Sequence, residues 1–406
     1  MVEVRTIAED EVDRWTSAML AGFHKVAGPE HPPFHRLFVD VERTYGAFDG
    51  ESIVGTARSF PSPLTVPGPV ELSVAAVTGV TVRASHRRQG LLTRMMRDQL
   101  GELSRRGEPV AILIASEAPI YGRFGYGPAS ENARIEVAAD RLRFAGDAPG
   151  GTVRYVDVNE FRRLAPPVYE RFRVSQPGAI GRSERWWDVA LGILARPGGD
   201  GPGFMAVHSS DGGEVDGYVH YAVVEAWTGR APASTIVLRD LVAASAEAYE
   251  GLWRFVTGVD WIVSVAADDR PVREPLASLV TDPRHVVQRN RSDFLWVHLV
   301  DVPAALAARR YRVADRLVIE VAPGFGTPAC SRFALDAGPD GAECRPTSAA
   351  ADLSVTRADL GGAYLGSTPL WLAAAARRME AHRRGAVEAF DRMFGEDRPA
   401  WCHTWF

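Results

Sequence analysis

The fold is decided by residues 77–95, which read VTGVTVRASHRRQGLLTRM. They begin with a β-branched, apolar run at residues 77–82 that predicts a buried strand. Residues 87–90, RRQG, follow, and residues 91–106 then place leucines and methionines at helical spacing. The stretch therefore predicts a strand, a short basic loop that contains glycine, and a helix.

The loop before this helix suits a phosphate or pyrophosphate ligand. The first N–H groups of a helix have no partner within the helix, and the helix dipole makes this end positive. Gly90 has no Cβ, so the backbone can approach a ligand closely. The same strand, loop and helix also occur as a plain connection in many α/β proteins, so the loop alone does not identify a function.

Length and composition limit the class of protein. A chain of 406 residues is expected to form two or three domains, and 46% hydrophobic with 24% charged residues is typical of a soluble globular protein. The net charge of -5 gives no electrostatic reason to bind nucleic acid or an anionic membrane. Three cysteines without metal-ligand spacing fit a reducing cytoplasm, and no metal cofactor or membrane-spanning segment is expected.

The order of elements is repeated along the chain. Strand, helix, hairpin, strand, helix and strand are predicted over residues 1–115, and the same order recurs after the turn-rich residues 146–151. We therefore predict an α/β (α+β) protein with domains at residues 1–145, 146–293 and 294–406. The second copy has no counterpart of the Arg-x-x-Gly loop, so we expect it not to bind the ligand of the first.

Three further expectations concern single elements. Residues 159–173 are predicted to be helical but interrupted at Pro166 and Pro167, because proline removes a helix hydrogen bond. A long helix is predicted at residues 369–384, and a turn at residues 354–365.

These elements and motifs resemble the GNAT superfamily of N-acetyltransferases, whose acetyl-CoA loop is Arg/Gln-x-x-Gly-x-Gly/Ala. Arg87 and Gly90 match that loop, whereas Leu92 replaces its last small residue. The longer motifs HRRQGLLTRMM, SEAPIYGRFGYGPA and DVPAAL, together with the aromatic C-terminus, are similar to the Eis family of enhanced intracellular survival acetyltransferases. The resemblance covers the whole chain. It implies tandem GNAT domains, the second degenerate, then a domain similar to sterol carrier proteins, and a homo-hexamer.

The resemblance also assigns roles to single residues. From the residues alone, Tyr121 and Tyr126 are equal candidates for a general acid; the resemblance selects Tyr121. It assigns the general base to the C-terminal carboxylate of Phe406. The acetyl-CoA contacts that it implies are Val80, Thr81, Val82, Arg87, Arg88, Gln89, Gly90, Leu91, Leu92, Thr93, Ser116 and Glu117.

Acetyl transfer to a primary amine requires these two groups. The amine must lose a proton as it attacks, and the departing thiolate must gain one. A phenol with a free pKa of about 10 can serve a thiolate whose free pKa is about 8.5. A terminal carboxylate, with a free pKa of about 3.5, is a weak base but attracts an ammonium group.

On the acceptor side the chain departs from the family. Family members that acetylate aminoglycosides use an acidic pocket, which here corresponds to Phe23, Lys25, His35 and Trp405. Lys25 and Trp405 stand where that pocket has carboxylates, and His35 stands where it has tryptophan. Like charges a few ångströms apart repel by on the order of 1 kcal/mol or more. We therefore expect weaker or narrower aminoglycoside acetylation, or a different amine.

Two functions from other classes compete with the enzyme. The chain could be a non-catalytic acyl-CoA or lipid-binding protein that uses the domain similar to sterol carriers. It could also be a scaffold that senses acetyl-CoA. Gly90, Tyr121 and a free Phe406 carboxylate together favour catalysis.

Overall fold

The computed structural model describes residues 2–199, 201–327 and 329–406. Contacts divide these residues into two compact units. The first unit comprises the chain up to Ser130, Phe294–Asp397 and Trp405–Phe406. The second comprises Glu131–Asp293 and Arg398–Thr404.

The first part of the chain forms the strand, loop and helix that residues 77–106 predict. Its elements are β1 (Glu3–Thr6), α1 (Val12–Gly22), α2 (His31–Arg36), β2 (Thr44–Asp49), β3 (Ser52–Val66), β4 (Val70–Val82), α3 (Leu91–Arg105), β5 (Val110–Ile114), α4 (Ala118–Tyr121) and β6 (Gly127–Pro128). Helix α3 buries one apolar stripe that includes Leu91, Met95 and Leu103, and this burial holds the helix on the sheet.

The middle of the chain begins with a strand that we did not predict. Its elements are β7 (Glu131–Val137), β8 (Thr152–Tyr155), α5 (Val158–Arg173), α6 (Glu184–Ala190), β9 (Phe204–Ser209), β10 (Val215–Val224), β11 (Trp227–Thr228), β12 (Ala231–Pro232), β13 (Ser234–Ala243), α7 (Ala246–Thr257), β14 (Ile262–Pro271), α8 (Leu276–Leu279) and β15 (Val286–Asp293).

The last part contains a smaller sheet, in the strand order β19-β18-β17-β20-β21. Its elements are β16 (Leu295–Leu299), α9 (Val302–Ala307), β17 (Asp315–Val321), β18 (Ser331–Gly338), β19 (Gly341–Pro346), β20 (Leu353–Val355), α10 (Arg357–Ala363), α11 (Trp371–Ala375), β21 (Glu380–Ala381) and α12 (Ala386–Phe394). Strand β16 is the exception, because it belongs to the large sheet of the first unit.

The two large sheets have the same architecture. The first has the order β1-β2-β3-β4-β5-β16-β6, and the second, read from its other edge, has β8-β9-β10-β13-β14-β7-β15. In both, one parallel pair, β4 with β5 or β13 with β14, lies among antiparallel strands. The structure thus confirms the predicted repeat and the α/β (α+β) class.

The sixth strand of each large sheet comes from an unexpected part of the chain. Strand β7 directly follows β6 but pairs with β14 and β15 in the second sheet. Strand β16 directly follows β15 but pairs with β5 and β6 in the first sheet. The break between the first two sheets therefore lies at Ser130 and not after residue 145, and the smaller sheet starts at β17 and not at residue 294.

All three single-element expectations are wrong. Helix α5 continues through Pro166 and Pro167, since Phe161 and Tyr169 on its buried face hold it against the second sheet. The predicted helix at residues 369–384 is broken, because α11 ends early and Arg377 has a φ of +58°. Residues 354–365 form most of β20 and helix α10 instead of a turn.

Within the described ranges, no helix is both long enough and apolar enough to cross a membrane.

Candidate active site

The site begins where β4 and β5 part. Among the described residues, β4 pairs with β5 only at Ala75 and Ala76, after which β5 continues beside β16. Beyond this point β4 remains paired with β3, with one extra residue on β4 near Gly79, whose φ is +64°. This bulge and the divergence leave one edge of residues 77–82 free to offer backbone N–H and C=O groups to a ligand.

The predicted ligand residues of β4 can act only through their backbone. Thr81 is buried, and its hydroxyl lies 2.7 Å from that of Thr56. Val80 and Val82 are half-buried and pack into the core beside α3. A ligand at this edge therefore meets the peptide groups of these residues, which carry the same donors whatever the side chain.

The loop after β4 leaves helix α3 without an N-terminal cap. Gly90 occupies the cap position with a φ of +76°, and no side chain accepts a hydrogen bond from the first turn. The first-turn N–H groups of Leu91, Leu92 and Thr93 consequently lack partners within the helix. A Cβ at Gly90 would meet nothing within 4 Å, so the space beside this helix end is open.

The loop and the end of β5 lie together, as the sequence predicted. Arg87, Arg88, Gln89, Ser116 and Glu117 are all exposed. The Arg87 guanidinium is 3.9 Å from the Glu117 carboxylate, a contact between exposed groups. The arrangement places an uncapped helix end, several arginines and a free strand edge around one open space. Those donors fit a pyrophosphate and a thioester carbonyl.

The two candidate tyrosines differ in their surroundings. Tyr121 is 6% exposed and belongs to the same apolar cluster as Val77 and Phe124. Burial, with a smaller contribution from Glu117, raises the pKa of Tyr121 to about 12. Tyr126 is fully buried, and its hydroxyl has no hydrogen-bond partner among the described residues. Tyr121 thus keeps a small exposure that Tyr126 lacks.

The chain terminus lies on β4. The Thr78 hydroxyl donates a hydrogen bond to a carboxylate oxygen of Phe406 over 3.2 Å. The ring of Phe406 makes an edge contact with that of Phe60, with 5.9 Å between ring centres. The carboxylate is thus held one residue from Val77, which packs in the cluster of Tyr121.

The predicted acceptor residues lie on two segments of the first unit. Phe23 and Lys25, both exposed, follow α1, while the half-buried His35 lies on α2 with its ring centre 5.3 Å from that of Phe34. Trp405 is 59% exposed and packs its ring edge-on against Phe294. Lys25 is the only charged side chain among these four positions at neutral histidine.

Sequence reasoning missed Arg58 and Thr78. Arg58 lies on β3 directly across from Thr78, and its guanidinium donates to the Phe38 carbonyl over 2.6 Å. An arginine within a largely apolar hairpin was the available signal for Arg58. Thr78 carried no signal, because only the folded chain brings Phe406 to it.

Comparison with known proteins identifies the family of this chain. Residues 3–129 and 178–305 each match a family described as an acetyltransferase (GNAT) domain, and residues 302–403 match the sterol carrier protein domain. An uncharacterised N-acetyltransferase of Streptomyces griseus is 37% identical over 99% of both chains. N-acetyltransferase Eis of Mycobacterium tuberculosis is 36% identical over 97% of this chain and 98% of its own.

The chain belongs to the Eis family of GNAT N-acetyltransferases.

The solved structures agree with this assignment. Eis1 of Mycobacterium abscessus superposes over the whole of both chains with a TM-score of 0.88 at 32% identity. A GCN5-related N-acetyltransferase of Anabaena variabilis shares the fold, with a TM-score of 0.85 at 17% identity. The protein is therefore an acetyltransferase with two GNAT domains and a sterol-carrier-like domain. GNAT acetyltransferases use acetyl-CoA, and the open helix end and free strand edge described above fit it.

The corresponding helix of the second GNAT domain has a side-chain cap, which α3 lacks. Helix α7, which follows β13 as α3 follows β4, starts at the cap residue Ser245, whose hydroxyl accepts from the Ala248 N–H over 3.0 Å. A serine cap satisfies one of the N–H groups that would bind an anion. That the second copy does not bind the ligand of the first stays a prediction.

In this Eis-family chain the C-terminal segment fills part of the second unit. The Asn132 amide donates to the Cys402 carbonyl over 2.7 Å, and the Trp401 indole donates to the Asp269 carbonyl over 2.7 Å. The Arg182 Nε donates to the Thr404 hydroxyl over 3.0 Å. Residues 398–404 are thereby fixed as an integral part of the second unit.

A buried charge pair supports this segment. Asp240 accepts from Arg182 at 2.5 Å and from the His403 Nε2 at 3.1 Å. Burial alone would raise the pKa of the Asp240 carboxyl, but Arg182 and His403 hold it well below its usual range. Burial lowers the pKa of His403 to about 4, so the ring is neutral at pH 7 and its Nε2 carries the proton.

Among the described residues, no group of three or more His, Cys, Asp or Glu side chains is arranged to hold a metal ion.

Removing the Asp240 charge tests the importance of this pair. Asp240→Asn leaves Arg182 buried without its counter-ion, and we expect a loss of about 3–5 kcal/mol of stability. Thermal unfolding followed by circular dichroism measures the change. The matched control is Glu160→Gln, whose exposed pair with Arg154 should contribute no more than about 1 kcal/mol. Equal melting temperatures for the two variants would contradict a stabilising role of the Asp240–Arg182 pair.

Proposed function

We propose that the protein transfers the acetyl group of acetyl-CoA to a primary amine of a small molecule, by direct attack in a ternary complex. Tyr121 acts as general acid and the Phe406 carboxylate as general base. The observation that supports this proposal most is that both groups lie against the same strand, β4. Tyr121 packs in the cluster of Val77, and the carboxylate accepts from the next residue, Thr78.

The donor side uses the groups that the first GNAT domain leaves open. The uncapped N–H groups at the start of α3 and the arginines at Arg87 and Arg88 would bind the pyrophosphate. The free edge of Val80, Thr81 and Val82 would donate to the thioester oxygen as negative charge develops there. Gln89, Gly90, Leu91, Leu92, Thr93, Ser116 and Glu117 complete the proposed contacts.

Tyr121 is suited to give its proton only to a buried thiolate. With a pKa of about 12, its phenol stays protonated across the physiological range. A thiolate in water, with a pKa of about 8.5, would accept this proton uphill. Burial in the same apolar cluster raises the pKa of a thiol as well, because it penalises the thiolate. The pKa of the CoA thiol then approaches that of the Tyr121 phenol when the C–S bond breaks.

The Phe406 carboxylate attracts and deprotonates the amine. Its oxygen is held by Thr78 and its ring by Phe60, so the position of the base is fixed before the acceptor binds. As the nitrogen attacks the carbonyl carbon, its proton passes to the carboxylate. The proton from Tyr121 passes to sulfur, and both groups return to their starting states by exchange with solvent.

The acceptor is an aminoglycoside-like compound or another small amine. A free-CoA release screen against aminoglycosides, polyamines, lysine peptides and arylalkylamines tests the proposal. Release with at least one class supports it. Acetyl-CoA binding without release from any class would favour a non-catalytic acyl-CoA-binding protein. Hexameric assembly and a cytoplasmic location stay predictions.

Two glycine variants separate the role of Gly90 in CoA binding from the strain that a side chain causes at a positive φ. Gly90→Ala should weaken CoA binding by about tenfold, because the new Cβ enters the open space beside the helix end. Gly107→Ala is the matched control, since Gly107 has a φ of +70° and equally open surroundings but lies at the other end of α3. Calorimetric titration with CoA should detect weakening in the first variant alone; equal effects would remove Gly90 from the binding site.

The general acid is tested by a pair of tyrosine variants. Tyr121→Phe should lower kcat by about 100-fold or more and leave CoA binding unchanged, because the ring keeps its packing while the acid is lost. Tyr126→Phe removes a buried hydroxyl that has no partner among the described residues, so its kcat should stay near that of the wild type. Stopped assays of CoA release measure both, and the opposite ranking would make Tyr126 the acid.

The general base is tested by moving the carboxylate. Two residues, Gly-Ser, added after Phe406 keep its ring but convert its carboxylate into a peptide group. We expect kcat to fall by about 100-fold or more. The same dipeptide added at the N-terminus serves as the control and should leave kcat unchanged. Full activity of the C-terminally extended protein would exclude the carboxylate as the base.

A further inference from the structure

Arg58 is a half-buried cation with unused hydrogen-bonding capacity. Its Nε is enclosed and has no hydrogen-bond partner within the described part of the chain. One terminal nitrogen donates to the Phe38 carbonyl. Burial lowers the pKa of Arg58 to about 10, so the guanidinium remains charged at pH 7.

In the part of the chain that the structure describes, Arg58 has no counter-ion, unlike three other arginines of low exposure. Arg43 pairs with Glu108, Arg182 with Asp240 and Arg270 with Glu274. Arg357 lacks such a pair, but its guanidinium donates to the Leu299 and Val300 carbonyls and to Thr327. Among the described residues, no carboxylate, including the chain terminus, lies within 4.0 Å of the Arg58 guanidinium. A charge that is removed from water without a counter-ion costs free energy, so a bound anion would offset this desolvation penalty.

The position of Arg58 is that of an acceptor contact. Arg58 and Thr78 face each other across β3 and β4, so their side chains emerge on the same face of the sheet. The Thr78 hydroxyl holds the Phe406 carboxylate, and the Phe60 ring lies between the two sites, 6.0 Å from the Arg58 guanidinium. An amine that gives its proton to that carboxylate therefore places its other substituents within reach of Arg58.

We propose that Arg58 is a specificity residue that binds an anionic group of the acceptor, so that the preferred acceptors are amines carrying a carboxylate or a phosphate. This inference rests on the proposed acetyl transfer. The terminal carboxylate attracts the ammonium end of such a molecule, and Arg58 binds its anionic oxygens through charge-assisted hydrogen bonds. Exposed Lys25 adds positive charge to the first unit. A polycation meets repulsion instead.

The test uses acceptors that differ only in the anionic group. Tryptophan is compared with tryptamine, and O-phosphoethanolamine with ethanolamine, by CoA release with wild-type protein. We expect kcat/KM to be at least about tenfold higher for the anionic member of one pair, as for a hydrogen bond to a charged group. A preference within the first pair assigns a carboxylate, and one within the second pair a phosphate.

Variants then locate the preference. Arg58→Met keeps the length of the side chain but not its charge. It should lower kcat/KM for the preferred anionic acceptor by about 10- to 100-fold. The value of kcat/KM for the acceptor that lacks the anionic group should change less than about threefold. Arg58→Lys should retain part of the preference. The control Arg97→Met removes an exposed arginine from α3 and should leave the ratio unchanged. If Arg58 had only a structural role, Arg58→Met would lower kcat/KM equally for both acceptors of a pair.

The outcomes separate this inference from the function on which it rests. Equal acetylation of both members of each pair by wild-type protein overturns the anionic preference and leaves acetyl transfer intact. A preference that Arg58→Met does not reduce overturns the role of Arg58. Absence of CoA release with every amine overturns the proposed acetyl transfer, and the inference with it.

Discussion

The parting of β4 and β5 after Ala76 is the constraint on which the first unit depends. A parallel pair that stays together would satisfy its own peptide groups and leave none for a ligand. Because the strands diverge, β4 keeps a free edge, α3 starts beside it without a cap, and Tyr121 packs against its inner face. The chain terminus reaches the same few residues from the other end of the sequence.

The two GNAT domains show how little sequence separates an open site from a closed one. Both keep the same order of strands, and both carry an irregular register before the helix. In the first, Gly90 provides no side-chain cap for the helix; in the second, the Ser245 hydroxyl accepts from the Ala248 N–H. In the second domain, residues 398–404 also pack around Arg182 and Asp240. Part of its interior is therefore filled by the C-terminal segment.

Local signals predicted the parts of the protein that depend on local physics. The spacing around Gly90 gave the strand, loop and helix, and the repeated order of elements gave the tandem domains. Long-range pairing carried no such signal: nothing near β7 or β16 indicates that they join distant sheets. The same applies to Arg58, whose lack of a counter-ion is a property of the folded neighbourhood, and to the prolines of α5, where packing outweighs propensity.

The exchange of β7 and β16 has a consequence for synthesis of the chain. Strand β5 leaves the ribosome about 180 residues before its antiparallel partner β16. At roughly 5–20 residues per second, one edge of β5 waits about 10–40 s for that partner. During this interval the acetyltransferase half carries an unpaired strand edge, which is a template for wrong pairing between chains. The first unit is therefore completed only after β15 of the second unit has been made.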